Sequence, residues 1–104
     1  MVGTWRTSFD GGDATAADTR VLTVHADGTV ELTGDGPSYS CAWTMHVTAA
    51  GPPVALSPSR VTRGSAASCL PGGATTLTLV DADHLRRDNV DSGRSPLTYE
   101  KTAG

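Results

Sequence analysis

The sequence predicts an all-β fold: a small antiparallel up-and-down β-barrel of about eight strands, occupying residues 1–104 as a single domain. Three observations predict it. Fifteen threonines and nine valines stand against only two glutamates, and β-branched side chains suit a pleated surface better than a helix. Twelve glycines and six prolines interrupt the chain at short intervals, the spacing of an all-β meander. Between these breaks, apolar and polar residues alternate, so each strand carries one dry and one wet face. Closing the sheet on itself buries every dry face and removes the exposed edges. A two-sheet sandwich satisfies the same alternation and is the alternative architecture.

The elements follow in order. Gly3, Trp5, Thr7 and Phe9 share a face in the first segment, which Gly11-Gly12 ends. Leu22 and Val24 pair naturally with Val30 and Leu32 across the hairpin turn Ala26-Asp27-Gly28. The strongest strand is 38–48, where Tyr39, Cys41, Trp43, Met45 and Val47 fall on one side, and Ser38, Ser40, Ala42, Thr44 and His46 on the other. Residues 54–62 are broken by Pro58 and suit an edge or a bend. A short strand over Ala66 to Leu70, carrying Cys69, is expected before Pro71-Gly72-Gly73 turns the chain. Leu77 and Leu79 alternate with threonines, and Asp81-Ala82-Asp83 turns the chain into a strand from Leu85 to about Asn89. Asp91-Ser92-Gly93 is a further turn, Leu97 and Tyr99 mark the last strand, and the residues after Lys101 read as linker.

Composition limits the function. Alanines supply 13 of the apolar residues, leaving 26 of Val, Leu, Met, Phe, Trp, Tyr and Cys for the core, with no isoleucine. That core is thin, and no apolar run approaches the roughly 20 residues of a membrane span. A formal charge of −3 argues against nucleic acid and anionic membranes as partners. Cys41 and Cys69 have no metal-type spacing and predict a disulfide, the alternative being two buried thiols. The bridge implies a place outside the cytoplasm. No signal-peptide pattern precedes Gly3, and Met1-Val2-Gly3-Thr4-Trp5 reads as a domain excised from a longer parent protein.

Two ends of the chain carry a resemblance. Gly3-Thr4-Trp5 opens the first strand and Tyr99-Glu100-Lys101 closes the last. Together they resemble the calycin superfamily of lipocalins and fatty-acid-binding proteins, so the expected barrel is lipocalin-like. The resemblance implies that Trp5 plugs one end, with Lys101 or Arg94 laid on its ring as a cation–π partner. Without the resemblance, Trp5 reads as ordinary core.

A longer resemblance covers most of the chain. It runs from Tyr39 through Cys41-Ala42-Trp43-Thr44-Met45 and Ala50-Gly51-Pro52-Pro53-Val54, then Ser68-Cys69, Ala74 to Val80 and Leu85-Arg86-Arg87-Asp88. These segments are similar to the extracytoplasmic C-terminal domains of actinobacterial membrane-anchored serine/threonine protein kinases. Seven arginines against one lysine, and no glutamine, fit such a high-GC coding bias. The resemblance implies an oxidised β domain on the outer side of the membrane that senses a ligand for the kinase. Kinase motifs themselves are absent. The chain is also similar to small secreted bacterial metalloprotease inhibitors, barrels with a Gly-x-Trp-like start and one disulfide. Those insert a flexible N-terminal trunk into the protease, and here only four residues precede Trp5.

Catalytic and metal chemistry finds little support. His25, His46 and His84 show no ligand spacing, and parity turns His25 and His46 to the wet face. Asp10 with Asp13, Asp81 with Asp83, and Asp88 with Asp91 are turn carboxylates. Asn89, Asp91 and Gly93 echo a calcium loop without its glutamate in register. Arg60, Arg63, Arg86, Arg87 and Arg94 are candidates for a basic patch contacting an anion or a partner. The expectation is therefore a non-enzymatic, monomeric extracytoplasmic binding or sensor module without cofactor or metal. It takes a small ligand or a protein partner and does not itself enter the membrane; a protease-inhibitor-like barrel is the alternative. The dry-face residues Trp5, Tyr39, Trp43, Met45 and Tyr99 are the candidate ligand-facing set, and plain core is their other reading.

Overall fold

The structure is a computed structural model that describes residues 1–10, 17–90 and 96–103. It contains β1 (Gly3–Asp10), β2 (Ala17–Val24), β3 (Thr29–Gly36), β4 (Tyr39–Ala49), β5 (Val54–Leu56), β6 (Arg60–Arg63), β7 (Thr75–Asp81), β8 (His84–Asn89) and β9 (Leu97–Ala103). No helix occurs among the described residues, and so none is long and apolar enough to cross a membrane. Neighbours run β3-β2-β1-β9-β8-β7-β5-β4-β6, and β3 also pairs with β4. Eight antiparallel strands thus close a barrel, and β6 is an extra strand on β4. The expected fold class holds, and the sandwich alternative does not.

Strand parity builds the core as the alternation predicts. Cys41, Trp43 and Met45 of β4 are buried with Leu22 and Val24 of β2, Val30 and Leu32 of β3, Leu56, Leu77, Leu85, Tyr99 and Trp5. The β2–β3 hairpin sets Leu22 opposite Leu32 and Val24 opposite Val30. Its turn is fixed by the Asp27 carboxylate, which accepts from Thr29 N at 2.8 Å. An Asx turn of this kind explains the choice of aspartate. Asp81 does the same for Asp83 N at 2.9 Å, where β7 turns into β8.

Trp5 is buried toward the end of the barrel where β1 begins. Its ring is 2% exposed, and Lys101 Nζ lies 5.5 Å from the ring centroid. The cation–π arrangement implied at this end is therefore present, with Lys101 as the cation. The other candidate cation, Arg94, lies outside the described residues, as do the Gly11-Gly12 break, Asp13, and the Asp91-Ser92-Gly93 turn. The residues after Lys101 are not linker: β9 continues to Ala103, which pairs with Thr4. Thr102 Oγ1 donates to Thr4 O at 3.2 Å, so the strand is held by backbone pairing and a side chain at once.

The opposite end, around Tyr39, is built differently. β4 offers one edge to β5 and β6 in succession, β5 along Val47–Ala49 and β6 along Ala42–Thr44. Only β5 continues the barrel to β7. The divergence falls at Ser57-Pro58-Ser59, the break that the proline signals in the sequence. It leaves a seam between β6 and β7 that no strand ladder fills. The segment 64–74 covers it. No strand forms over Ala66–Leu70, contrary to expectation, because Ser68 N and Cys69 N both donate to Ser65 O and wind the chain into a turn. The segment is tied by Cys41–Cys69, with Cα atoms 5.7 Å apart, and by Trp43 Nε1 donating to Leu70 O at 2.8 Å. Ser59 N donates to Gly72 O at 3.0 Å, and Gly72 N to Ser59 Oγ at 2.7 Å.

Closing 28 residues covalently removes unfolded-state entropy worth about 3–4 kcal/mol in the chain-entropy model. Reduction, or the pair Cys41→Ala and Cys69→Ala, is therefore expected to lower the melting temperature by roughly 10 °C or more. It should also open the segment 64–74 to trypsin after Arg63 while the Trp5 end stays protected. Unchanged melting and an unchanged digestion pattern would contradict the clamp role.

Candidate functional site

The barrel interior at the Tyr39 end holds two half-buried arginines, Arg20 and Arg87. Parity explains how charge arrives there. Arg20 precedes Leu22 by two on β2, and Arg87 follows Leu85 by two on β8, so both share the inward face of their strands. Arg20 sits opposite Gly34 of β3, and Arg87 between Leu77 of β7 and Leu97 of β9.

Arg20 is embedded in an aromatic stack. Its guanidinium carbon lies 5.4 Å from the Tyr39 ring centroid and 5.8 Å from that of Trp43, within cation–π range. Nη1 donates to Tyr39 Oη at 2.7 Å and to Thr19 O at 3.1 Å. Space for the stack comes from Gly34, where a Cβ would lie 2.8 Å from Arg20 Nη1 and 2.9 Å from the Trp43 ring. Burial raises the Tyr39 pKa; Arg20 pulls it down and Asp18 pushes it up. Asp18 therefore shares this corner, and negative charge is at hand near Arg20.

Arg87 has poorer company. Nε donates to Thr75 Oγ1 at 3.4 Å, and Nη2 reaches across the interior to Met45 Sδ at 3.7 Å. Both contacts are long, and a thioether is a weak acceptor. Among the described residues Arg87 makes no ion pair. Beside it lies Tyr99, 0% exposed, whose hydroxyl has no hydrogen-bond partner there. Burial pushes the Tyr99 phenol up, while Arg87 and Arg20 pull it down. The guanidinium is thus close enough to be felt without a properly formed hydrogen bond. Trp5 Nε1, toward the closed end, is likewise buried without a partner.

The five ligand-facing candidates divide accordingly. Tyr39, Trp43, Met45 and Tyr99 converge with Arg20, Arg87 and Thr75 on this polar interior, whereas Trp5 belongs to the closed end with Lys101. Arg20 and Arg87 were legible by parity alone, since each stands two residues from an inward leucine. Their charge hides them from a search for apolar alternation. Of the five arginines named as candidates for a basic patch, Arg94 lies outside the described residues and the other four do not gather on one surface. Arg87 turns inward, Arg86 Nε bonds Asp88 at 2.9 Å, and Arg60 and Arg63 stand on β6.

The histidines sit outside. His25 pairs with Glu31 at 2.9 Å. His84 pairs with Asp81 at 2.8 Å, which raises its pKa. His46 Nδ1 lies 3.4 Å from Ser57 Oγ, a hydroxyl already accepting from His46 N and donating to Pro58 O. No group of three metal-ligating side chains occurs among the described residues. No protein-family model, curated protein or solved structure matches the chain.

An orphaned buried hydroxyl costs about 1–3 kcal/mol. Tyr99→Phe is therefore expected to stabilise the ligand-free protein by about 1 kcal/mol in urea titrations at neutral pH. The alkaline limb gives a second reading. An unfolded tyrosine ionises above about pH 10, whereas the buried phenol holds its proton. Stability is accordingly full below that pH and falls above it, and Tyr99→Phe should shrink the fall. A destabilised Tyr99→Phe at neutral pH would show that the hydroxyl is well bonded.

Proposed function

We propose that this domain is a non-enzymatic extracytoplasmic binding or sensor module, appended to a membrane-anchored signalling protein, that takes a small organic anion at the Tyr39 end of its barrel. The observation that carries the reading is Arg87: a guanidinium on the inward face with a hydroxyl and a thioether for partners, beside the orphaned Tyr99 hydroxyl. Arg87 is half-buried, charge drawn partly out of water is costly unless matched, and departures from internal consistency concentrate at functional positions. A carboxylate or similar oxyanion would replace both long contacts with charge-assisted bonds from Arg87. Tyr99 Oη would supply a further donor. The body of the ligand would lie against Tyr39, Trp43 and Met45. Arg87 spans the interior as far as Met45, so the ligand is small.

The compartment and the parent rest on other grounds. The Cys41–Cys69 bridge supports an oxidising environment. The Trp5–Lys101 closure supports kinship with lipocalin-like barrels, and the segments similar to kinase-appended domains support a sensory role outside the membrane.

A panel of small carboxylates, phosphates and sulfonates, each beside its neutral amide or alcohol counterpart, tests the reading through tryptophan fluorescence and calorimetry. At least one carboxylate is expected to bind while its amide does not. Arg87→Met should weaken binding by about tenfold or more, and Tyr99→Phe should weaken it while stabilising the fold. Binding of amide and acid alike, or no response to any anion, would overturn the proposal.

A further inference from the structure

Among the described residues, three charged side chains share the inward strand faces of the Tyr39 half of the barrel. Strand parity puts Asp18 and Arg20 there, four and two residues before Leu22 on β2, and Arg87, two residues after Leu85 on β8. All three are half-buried. The two arginines act on one space. Burial pushes the Tyr99 phenol up, and Arg87 and then Arg20 pull it down.

Asp18 is brought beside Tyr39 by a missing side chain. Gly36 lies opposite Tyr39, and a Cβ there would run into the Asp18 carboxylate and the Tyr39 ring. The Tyr39 hydroxyl accepts from Arg20 Nη1 at 2.7 Å. Burial raises its pKa most, and of the two charges beside it Arg20 lowers it and Asp18 raises it. Tyr39 thus stands next to one charge of each sign. Asp18 forms no ion pair among the described residues, so its field reaches whatever enters at this end.

Two arginines against one aspartate leave a single positive charge in this half of the interior. A monoanion brings the balance to zero. A second negative charge would be unmatched in a space partly withdrawn from water, where unmatched charge is costly. It would also face Asp18, and a juxtaposed like charge rejects a partner more effectively than a missing contact does. Arg20 is poorly placed to neutralise it. Its guanidinium already donates to Tyr39 Oη and Thr19 O and lies against the Tyr39 and Trp43 rings.

We propose that the barrel takes monocarboxylates, and that Asp18 is the specificity-determining residue that turns dicarboxylates away. The selectivity rests on the reading of Arg87 as an anion site. Arg87 and Tyr99 hold the single carboxylate, and the uncharged remainder of the ligand lies toward Tyr39 and Asp18.

The test uses the intact domain at neutral pH and calorimetry. Straight-chain monocarboxylates of three to six carbons are each compared with the dicarboxylate of the same length and with the monoamide of that dicarboxylate. For at least one length, the monocarboxylate and the monoamide are expected to bind about tenfold or more tightly than the dicarboxylate. Asp18→Asn should tighten dicarboxylate binding by about tenfold or more relative to the monocarboxylate, and Arg87→Met should weaken both. A dicarboxylate that binds the unaltered domain as tightly as its monocarboxylate, with both lost in Arg87→Met, would overturn the selectivity and leave the anion site standing. An Asp18→Asn variant with an unchanged ratio of the two affinities would show that Asp18 only supports Tyr39, and would overturn its specificity role. Absence of binding by every acid would overturn the anion site and the selectivity together.

Discussion

The barrel depends on a clamp where its ladders run out. From β3 through β7 to β5 and β4, backbone pairing closes the wall, but beyond Leu56 the chain leaves the barrel at Pro58 and continues as β6. The Tyr39 end would then gape between β6 and β7. Cys41–Cys69, the Trp43–Leu70 bond and the paired Ser59–Gly72 bonds fasten the segment 64–74 across it. A core of only 13 buried apolar side chains among the described residues gains from a covalent constraint that acts on the unfolded chain. Gly64 fits the clamp closely: with φ at +108°, it leaves the place of a Cβ to Cys69 Sγ.

The same clamp makes the two halves of the molecule chemically different. At the Trp5 end, strand ladders and the Trp5–Lys101 contact give an apolar core whose one orphaned polar atom is the indole Nε1. At the Tyr39 end, where the wall is assembled from a non-strand segment, the interior admits Arg20, Arg87 and the Tyr99 hydroxyl. Charged groups are thus confined to one end of the described interior. That division lets a chain this short keep a fold while leaving part of its interior imperfectly satisfied.

Much of this was legible in the sequence because β-strand parity is a two-state variable. Tyr39 to Val47 alternates over nine residues with no exception, and Leu22, Val24, Val30 and Leu32 fix a hairpin register through one Asx turn. Pro58 announced the parting of β5 and β6. Alternation failed in two ways. It credited Ala66–Leu70 with strand character, although hydrogen bonds to Ser65 O coil that segment. It also follows apolar residues alone, and so passes over the inward faces of Arg20 and Arg87. The seam could not be read at all, since it arises from the mismatch between β6 and β7 and not from any local pattern.

The pairing of β9 with β1 has a consequence for how the domain can be mounted. Thr4 and Ala103 are ladder neighbours, so the polypeptide enters and leaves the barrel at one point on its rim. Thr4 and Ala103 both lie toward the Trp5 end, so the arginine-bearing interior stands at the opposite pole of the barrel, and any force that parts the two strand ends is carried first by the β1–β9 pairing.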